Sequence, residues 1–337
     1  MMFKRAVLGT LLSSAALVLA WVPAGRAEDA PQTTASLVFV GDVMLDRIPG
    51  EHVAKGKDPF ADCASILEAA DLTVGNLECV VATGGERVVK KYTFRASPHC
   101  LPFLTRYFDA VSLANNHTGD FGKGALVEEM ERLEQAGVRY FGGGRDLKEA
   151  HSPLILERKG IRVALLGYNE FRPREFEAGP MTPGVAWSDD DQVVADLKAV
   201  RASGAADIVI TFMHWGREYQ FQPNERQKSL ARLMIDSGAD VVIGGHPHVT
   251  EGAEYYKGKL IVYSLGNFVF DDFKDVVPAL DEPSRTSWAL RLKVAKSGLV
   301  EWDTVVTRTG DDGFPRPLPN APSPKGRDGK IEPAPKP

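Results

Sequence analysis

The chain reads as an α/β protein built on a largely parallel sheet. Short β-branched or aromatic runs alternate with segments of helical periodicity through both halves, and that alternation is how βαβ units appear in a sequence. Several of the runs stop at Gly, Asp, Asn or His, the residue types of loops at strand ends. A closing antiparallel pair completes the pattern.

Taken in order, Ser36–Val40 is a strand ending at Gly41-Asp42, and Phe60–Ala70 has the spacing of a helix. Leu72–Val74 is a strand ending at Gly75-Asn76, and Pro98–Tyr107 is a helix. Ala110–Leu113 is a strand ending at Asn115-Asn116-His117, followed by a helix over Lys123–Ala136 that stops at Gly137. The second half repeats the pattern. Its strands are Ile161–Leu166, Ile208–Phe212, Val241–Ile243 and Leu260–Tyr263; its helices are Asp190–Ala202 and Pro223–Asp236. Ser287–Val294 and Leu299–Thr307 pair about a turn at Ser297-Gly298. No linker divides residues 35–310, so one domain is expected, with two half-sheets packed face to face left open. The Pro-rich, charged segment Phe314–Pro337 has too little apolar surface to order itself and is expected to be disordered.

The first residues stand apart. Lys4 and Arg5 precede an apolar run from Ala6 to Val22, and Gly25 and Ala27 sit at small-x-small spacing before Glu28. That is the layout of a signal peptide over residues 1–27, cleaved after Ala27, and it predicts a periplasmic or secreted protein that meets the membrane only in transit. The alternative is an uncleaved anchor, for which the run is short against the ~20 apolar residues a spanning helix needs. Export permits a disulfide. Cys79 and Cys100 flank a turn-rich stretch that they would clasp, and three buried thiols (with Cys63) are the equal alternative. A formal net charge of -5 on 337 residues argues against a nucleic-acid partner.

The polar residues gather at strand ends: Asp42, Asn76 and Glu78, Asn115 to His117, His214, and His246-Pro247-His248. Parallel strands carry such loops to one edge of a sheet, where ligands bind. Imidazole and carboxylate suit zinc, manganese or iron, and paired imidazoles serve two adjacent ions. Each residue alone has a plainer reading: Asp42 as a helix cap, Asn115 and Asn116 as turn residues, Glu78 as a solvated charge, His214 as a packed core histidine. Their joint placement favours a site. Gly142-Gly143-Gly144 lacks dinucleotide-loop spacing, and no Gly-x-Ser-x-Gly elbow occurs.

Six ordered strings resemble the poly-gamma-glutamate capsule synthesis (CapA-type) family over residues 36–272: Gly41-Asp42-Val43-Met44-Leu45, Gly75-Asn76-Leu77-Glu78, Ser112 to His117, His214-Trp215-Gly216-Arg217-Glu218-Tyr219, Gly244 to His248, and Tyr263 to Phe268. The family looks like a divergent branch of the calcineurin-like metallophosphoesterases. The resemblance implies a four-layer αββα sandwich of the metallo-dependent phosphatase type. It implies metal ligation by Asp42, Glu78, Asn116, His214, His246 and His248, with His117 protonating a leaving group. The chain departs from the superfamily where Met44 stands for the histidine of Asp-x-His and Glu78 for the bridging aspartate. One or two divalent ions (Mn, Zn or Fe) are therefore expected.

Two functions follow from these readings. One is a metal-dependent hydrolase or related acid–base enzyme acting on an anionic envelope polymer or wall peptide. Lys91, Arg95 and Asn115, with Lys90, would hold the substrate, although a solvated basic loop is an equal reading of the cations. The other is a non-catalytic export or assembly factor that uses the same groove to bind polymer.

Overall fold

Strand β1 (Ala35–Val43) decides the layering. Its residues alternate between two buried surfaces: Leu37 and Phe39 point to one, Val38 and Val40 to the other. A strand apolar on both faces belongs inside a sheet covered on both sides. The computed structural model describes residues 1–2, 32–271, 278–327 and 329–332. Residues 33–337 form one compact unit. The expected signal peptide lies, but for its first two residues, outside the described residues.

The first sheet continues with β2 (Leu72–Leu77), β3 (Ala110–Ser112) and β4 (Arg139–Phe141), all parallel to β1. The second sheet contains β5 (Leu154–Arg158), β6 (Ile161–Asn169), β7 (Ile208–His214), β8 (Val241–Gly245), β9 (Thr250–Tyr256) and β10 (Lys259–Leu265), in the order β9-β10-β8-β7-β6-β5. Its four central strands are parallel and its two edges are hairpin-paired antiparallel. The chain then returns to the first sheet through β11 (Asn267–Val269), parallel to β1, and through the antiparallel pair β12 (Thr286–Ala295) and β13 (Gly298–Thr309).

The two sheets face each other across an apolar layer. Phe39, Val74 and Leu290 of the first meet Leu165, Ile210 and Val262 of the second, and the rings of Phe39 and Phe212 pack edge to face at 6.2 Å. Helix α1 (Gly122–Ala136) covers the outer face of the first sheet with Leu126, Met130 and Leu133, at i, i+4 and i+7. Helices α2 (Asp190–Ser203) and α3 (Glu225–Ser237) cover the second through Val193, Leu197, Leu230 and Met234. The architecture is the expected αββα sandwich. Helices α1 and α2 end where Gly137 and Gly204 take positive φ, and α3 begins with a capping box between Asn224 and Gln227.

Two expectations are corrected, and one open choice is decided. The helix over Phe60–Ala70 is a 3₁₀ turn (Ala61–Cys63) and one helical turn (Ala64–Leu67), stopped where Thr73 Oγ1 donates to Leu67 O at 2.8 Å. The tail is not disordered over its described residues. Pro315–Pro317 and Lys325–Arg327 pair with β13, and Lys330–Glu332 pairs with the latter. The exposed edge of β13 supplies backbone partners that composition does not reveal. Of the two equal readings of the cysteines, the structure has the second: Cys63, Cys79 and Cys100 are free, buried thiols, and no clasp joins Cys79 to Cys100.

The second sheet passes into the first at Gly266 (φ 73°), directly against Gly41. A Cβ on Gly41 would overlap the carbonyl oxygen of Gly266, a backbone atom with nowhere to go. Gly41→Ala is therefore expected to destabilise the domain by about 1–3 kcal/mol or more, as overpacking does. Gly124→Ala, in α1 with nothing near its added Cβ, should instead stabilise by about 0.5–1 kcal/mol. Urea denaturation of both variants checks the contrast.

Candidate metal centre

Register places the polar residues at one level. Asp42 of β1 stands opposite Asn76 of β2 and Asn267 of β11, and His214 at the end of β7 stands opposite Gly245 of β8. The carboxyl ends of the central strands of both sheets therefore meet. Asp42, Glu78, Asn116, His214, His246 and His248 converge there, none more than 6 % exposed.

Asp42 joins the sheets. Its Oδ1 accepts from Asn76 Nδ2 at 2.8 Å, its Oδ2 accepts from the His246 amide at 3.2 Å, and His248 Nδ1 lies 3.5 Å from Oδ2. Gly245 is required here, since a Cβ on it would stand 2.7 Å from Asp42 Oδ1. His246 and His248 both take positive φ (92° and 58°), a conformation costing on the order of 1–3 kcal/mol for a side-chain-bearing residue. The Gly245-His246-Pro247-His248 loop thereby turns both imidazoles inward.

His214 occupies the middle. Its Nε2 lies 2.7 Å from Asn116 Oδ1, 3.2 Å from His246 Nδ1 and 3.6 Å from Glu78 Oε1, and Asn76 Nδ2 donates to its Nδ1 at 3.2 Å. Two side chains are left short of partners. Both carboxylate oxygens of Glu78, and Nε2 of His246, are buried without a hydrogen bond. Buried polar atoms of this kind are rare and costly unless an ion or water meets them. Ligand atoms of Glu78, His246 and His248, and of Asp42, Glu78 and His214, lie within 4.8 Å of one another. These residues fit a divalent metal ion, and the unpartnered atoms of Glu78 and His246 point to where it would bind.

The electrostatics follow from burial. Desolvation, then the charge of Asp42, pushes the Glu78 carboxyl well above its ordinary value. Desolvation and neighbouring imidazoles hold His214 and His246 well below theirs, in the neutral form that ligates metal. Asp42 and His248 move oppositely. Burial opposes both shifts, but their mutual attraction lowers the carboxylate and raises the imidazole.

His117 sits at the rim. Asp120 Oδ2 accepts from its Nδ1 at 2.7 Å and from the Phe94 amide at 2.7 Å, while Lys90 bridges Asp120 Oδ1 and the Asn116 carbonyl, each at 2.7 Å. The Nδ1–H is thus fixed, and the Nε2 lone pair faces Glu78 Oε1 at 3.9 Å. Burial lowers the His117 imidazole to about 4, against the pull of Asp120. Its resting form is a neutral proton acceptor, so it serves as an acid only after taking up a proton.

The residues expected to hold substrate fare differently. Asn115 is fully buried. Its Nδ2 donates to Asn76 Oδ1 and the Leu77 carbonyl, and its Oδ1 accepts from the His117 and Thr118 amides. It braces the site and has nothing left for substrate. Arg95 lies over the Phe121 ring at 4.3 Å and donates to the Gly84 carbonyl. Lys91 is exposed, with its ammonium 4.7 Å from the Tyr92 ring centre. Met44, at the position of the missing histidine, is buried, and its sulfur accepts from the Asp46 amide at 3.2 Å. Sequence reasoning assigned no role to Asn76, Asp120 or Asn267. Asp120 was detectable as the carboxylate three residues after His117. Asn267, whose Oδ1 lies 2.9 Å from His248 Nδ1, stands in a quoted strand-end string.

The class these features define is an αββα domain whose meeting strand ends enclose a buried imidazole–carboxylate cluster that could hold a metal ion. The family model for bacterial capsule synthesis protein PGA_cap matches residues 36–272, and the chain belongs to that family. It is 34% identical over 268 residues to the PGA biosynthesis protein CapA of Bacillus subtilis, covering 76% of this chain and 70% of that protein. It is 32% identical over 249 residues to the capsule biosynthesis protein CapA of Bacillus anthracis, covering 70% of this chain and 60% of that protein. The chain thus spans less than two thirds of the second relative's length. Among solved structures, the NAD nucleotidase of Haemophilus influenzae aligns at 13% identity and a TM-score of 0.47, over 85% of this chain and 60% of that one. That likeness adds nothing to what the topology shows.

The depressed His117 fixes a sign for pH dependence. A histidine whose folded value is below its unfolded value of about 6.5 contributes stability that is present above that value. The contribution is lost as pH falls toward about 4. Metal-stripped wild type should therefore lose stability between those limits more steeply than His117→Gln. Urea titrations at stepped pH measure the difference, and parallel curves would refute the assignment.

Proposed function

We propose that this protein is an exported, metal-dependent hydrolase, or related acid–base enzyme, that processes an anionic capsule or cell-wall polymer such as poly-gamma-glutamate. The observation carrying the reading is the buried centre in which both Glu78 oxygens and His246 Nε2 have no hydrogen-bond partner. Such atoms, set among His214, His248, Asp42 and Asn116, suit one or two divalent ions of the Mn, Zn or Fe kind. A bound ion there supplies Lewis-acid polarisation and a water of lowered pKa.

The chain's own residues supply the rest. His117, oriented by Asp120, moves a proton at its Nε2. Lys90 neutralises Asp120 and pins the Asn116 backbone, so Asn116 and His117 present their side chains in different directions. The near-complete burial of the centre excludes bulk water. Asp42 favours the protonated form of His248, so an ion bound there competes with a proton and metal affinity is expected to fall in acid. Export to the periplasm or medium rests on the N-terminal sequence pattern. The same enclosure, together with Met44 turned to the backbone, supports a second reading: an assembly factor that binds polymer without cleaving it.

Elemental analysis and turnover on two variants separate the roles. His246→Ala should lose bound metal, because it removes a ligand. His117→Ala should keep its metal and lose ~10²–10⁴-fold in turnover. Chelation should abolish wild-type activity. Loss of metal in His117→Ala but not in His246→Ala would reverse the assignment, and a metal-free, inactive wild type that still binds polymer would favour the assembly factor.

A further inference from the structure

Asp42 stands between two asparagines of its own sheet, Asn76 of β2 and Asn267 of β11. The Asn76 amide reaches Asp42 itself. Asn267 turns the other way, toward His248 of the second sheet. It is fully buried, and its place is set by the preceding residue, Gly266, whose carbonyl accepts from the Asp42 amide at 3.1 Å.

The orientation of the Asn267 amide follows from its partners. Its Nδ2 donates to two carbonyl oxygens, that of His248 at 3.3 Å and that of Ser284 at 3.0 Å. Carbonyls only accept, so the nitrogen belongs on that side and Oδ1 on the side of His248 Nδ1, 2.9 Å away. An amide oxygen also only accepts. His248 Nδ1 therefore carries a hydrogen, and in the neutral ring Nε2 carries the lone pair that a metal ion takes.

A neutral acceptor matters here because a charged one is close. Asp42 Oδ2 lies 3.5 Å from the same His248 Nδ1 and already accepts from the His246 amide at 3.2 Å. Without Asn267 the Nδ1–H would be left to Asp42, which would tie a carboxylate oxygen of the centre to an imidazole. The rest of the surroundings hold the ring without telling its nitrogens apart: Phe270 packs on it at 4.9 Å, and its backbone keeps a φ of 58°. The hydrogen bond from Asn267 distinguishes them. Supporting groups of this kind, a step behind the ligands, orient a histidine and set its tautomer.

We propose that Asn267 is a positioning residue of the metal centre: it holds His248 as the Nδ1–H tautomer, presents Nε2 to the ion, and spares Asp42 from serving as the main acceptor of that imidazole. The inference rests on the reading that His248 ligates an ion, and goes beyond it by naming the group that selects the ligating nitrogen.

The test uses the full-length, metal-stripped protein, zinc as the probe, and two variants. Asn267→Ala loses both the acceptor and the donor. Asn267→Asp keeps an acceptor toward His248 and loses the donor to the two carbonyls. If Asn267 only ties backbone segments together, the variants behave alike. If it positions His248, zinc affinity, measured by competition with a chromophoric chelator, falls ~10–100-fold in Asn267→Ala, the usual effect of removing such a support, and is kept in Asn267→Asp. Histidine-selective 15N NMR of the metal-free wild type reads the tautomer directly, above the pH at which the ring titrates. The His248 signal is assigned among the seven histidines by its absence from His248→Gln. A protonated Nδ1 and a bare Nε2 are expected. A bare Nδ1 in wild type, zinc affinity unchanged in Asn267→Ala, or equal loss in both variants overturns the assignment. Should Asn267→Ala fail to fold, the wild-type spectrum and the zinc affinity of Asn267→Asp still decide. The two readings fail separately. A wild type that binds no zinc removes the metal centre, and the ligating role of His248 with it. A wild type that binds zinc, with an affinity that Asn267→Ala leaves unmoved, removes the role of Asn267 alone.

Discussion

Everything at the centre depends on a backbone contact without side chains. The Asp42 amide donates to the Gly266 carbonyl at 3.1 Å, at the point where the chain leaves the second sheet and enters the first. Only glycine at Gly41 lets the two backbones come this close. The contact clamps the strand ends of two sheets whose facing surfaces are mostly apolar and carry little directional information. With the edges clamped, Asp42 reaches the His246 amide across the gap. A looser approach would leave two strand-end clusters, one of oxygens and one of nitrogens.

Enclosure then sets the chemistry. Three imidazoles and two carboxylates are enclosed in one buried volume, and desolvation with like-charged neighbours shifts His117, His214 and His246 toward the neutral form while Asp42 pulls His248 the other way. Left alone, such an arrangement is expensive: unpartnered buried acceptors cost about 1–3 kcal/mol each, and the positive φ of His246 and His248 adds strain. A fold keeps this arrangement when something else uses it. Among the six converging side chains, the buried atoms without a hydrogen bond lie on Glu78 and His246, from opposite sheets, which is where a shared ion would relieve them.

Much of this was legible in the sequence, and the physical reason is narrow. Parallel strands must end together, so Asp, Asn and His residues placed at strand ends tens of residues apart had to meet. Depth and orientation were not legible. Asn115 and Asn116 are chemically identical neighbours, yet one braces the loop through its carbonyl and amide while the other faces His214. That choice is made by the turn after β3 and has no composition signal. The hairpins β5–β6 and β9–β10 turn at Lys159-Gly160 and Lys257-Gly258, with positive φ at all four residues, a turn type in which glycine is only half the signal. The pairing of the tail's described residues was hidden because their partners are mostly the backbone groups of an edge strand.

Met44 shows how the centre differs between its halves. The thioether at that position turns to the Asp46 amide and offers the centre nothing. The first sheet and its loops then contribute oxygens, from Asp42, Glu78 and Asn116, while the second contributes nitrogens, from His214, His246 and His248. Glu78, a methylene longer than aspartate, extends to within 3.6 Å of His214 Nε2 in the second set. An ion bound by this mixed set would draw ligands from both sheets at once, so its binding energy would act across the inter-sheet gap that Gly41 and Gly266 already close. Binding to the folded state alone adds to stability. Metal occupancy would therefore be coupled to the integrity of the sandwich, through residues that already meet across the gap, Asn116 with His214 and Asp42 with His248.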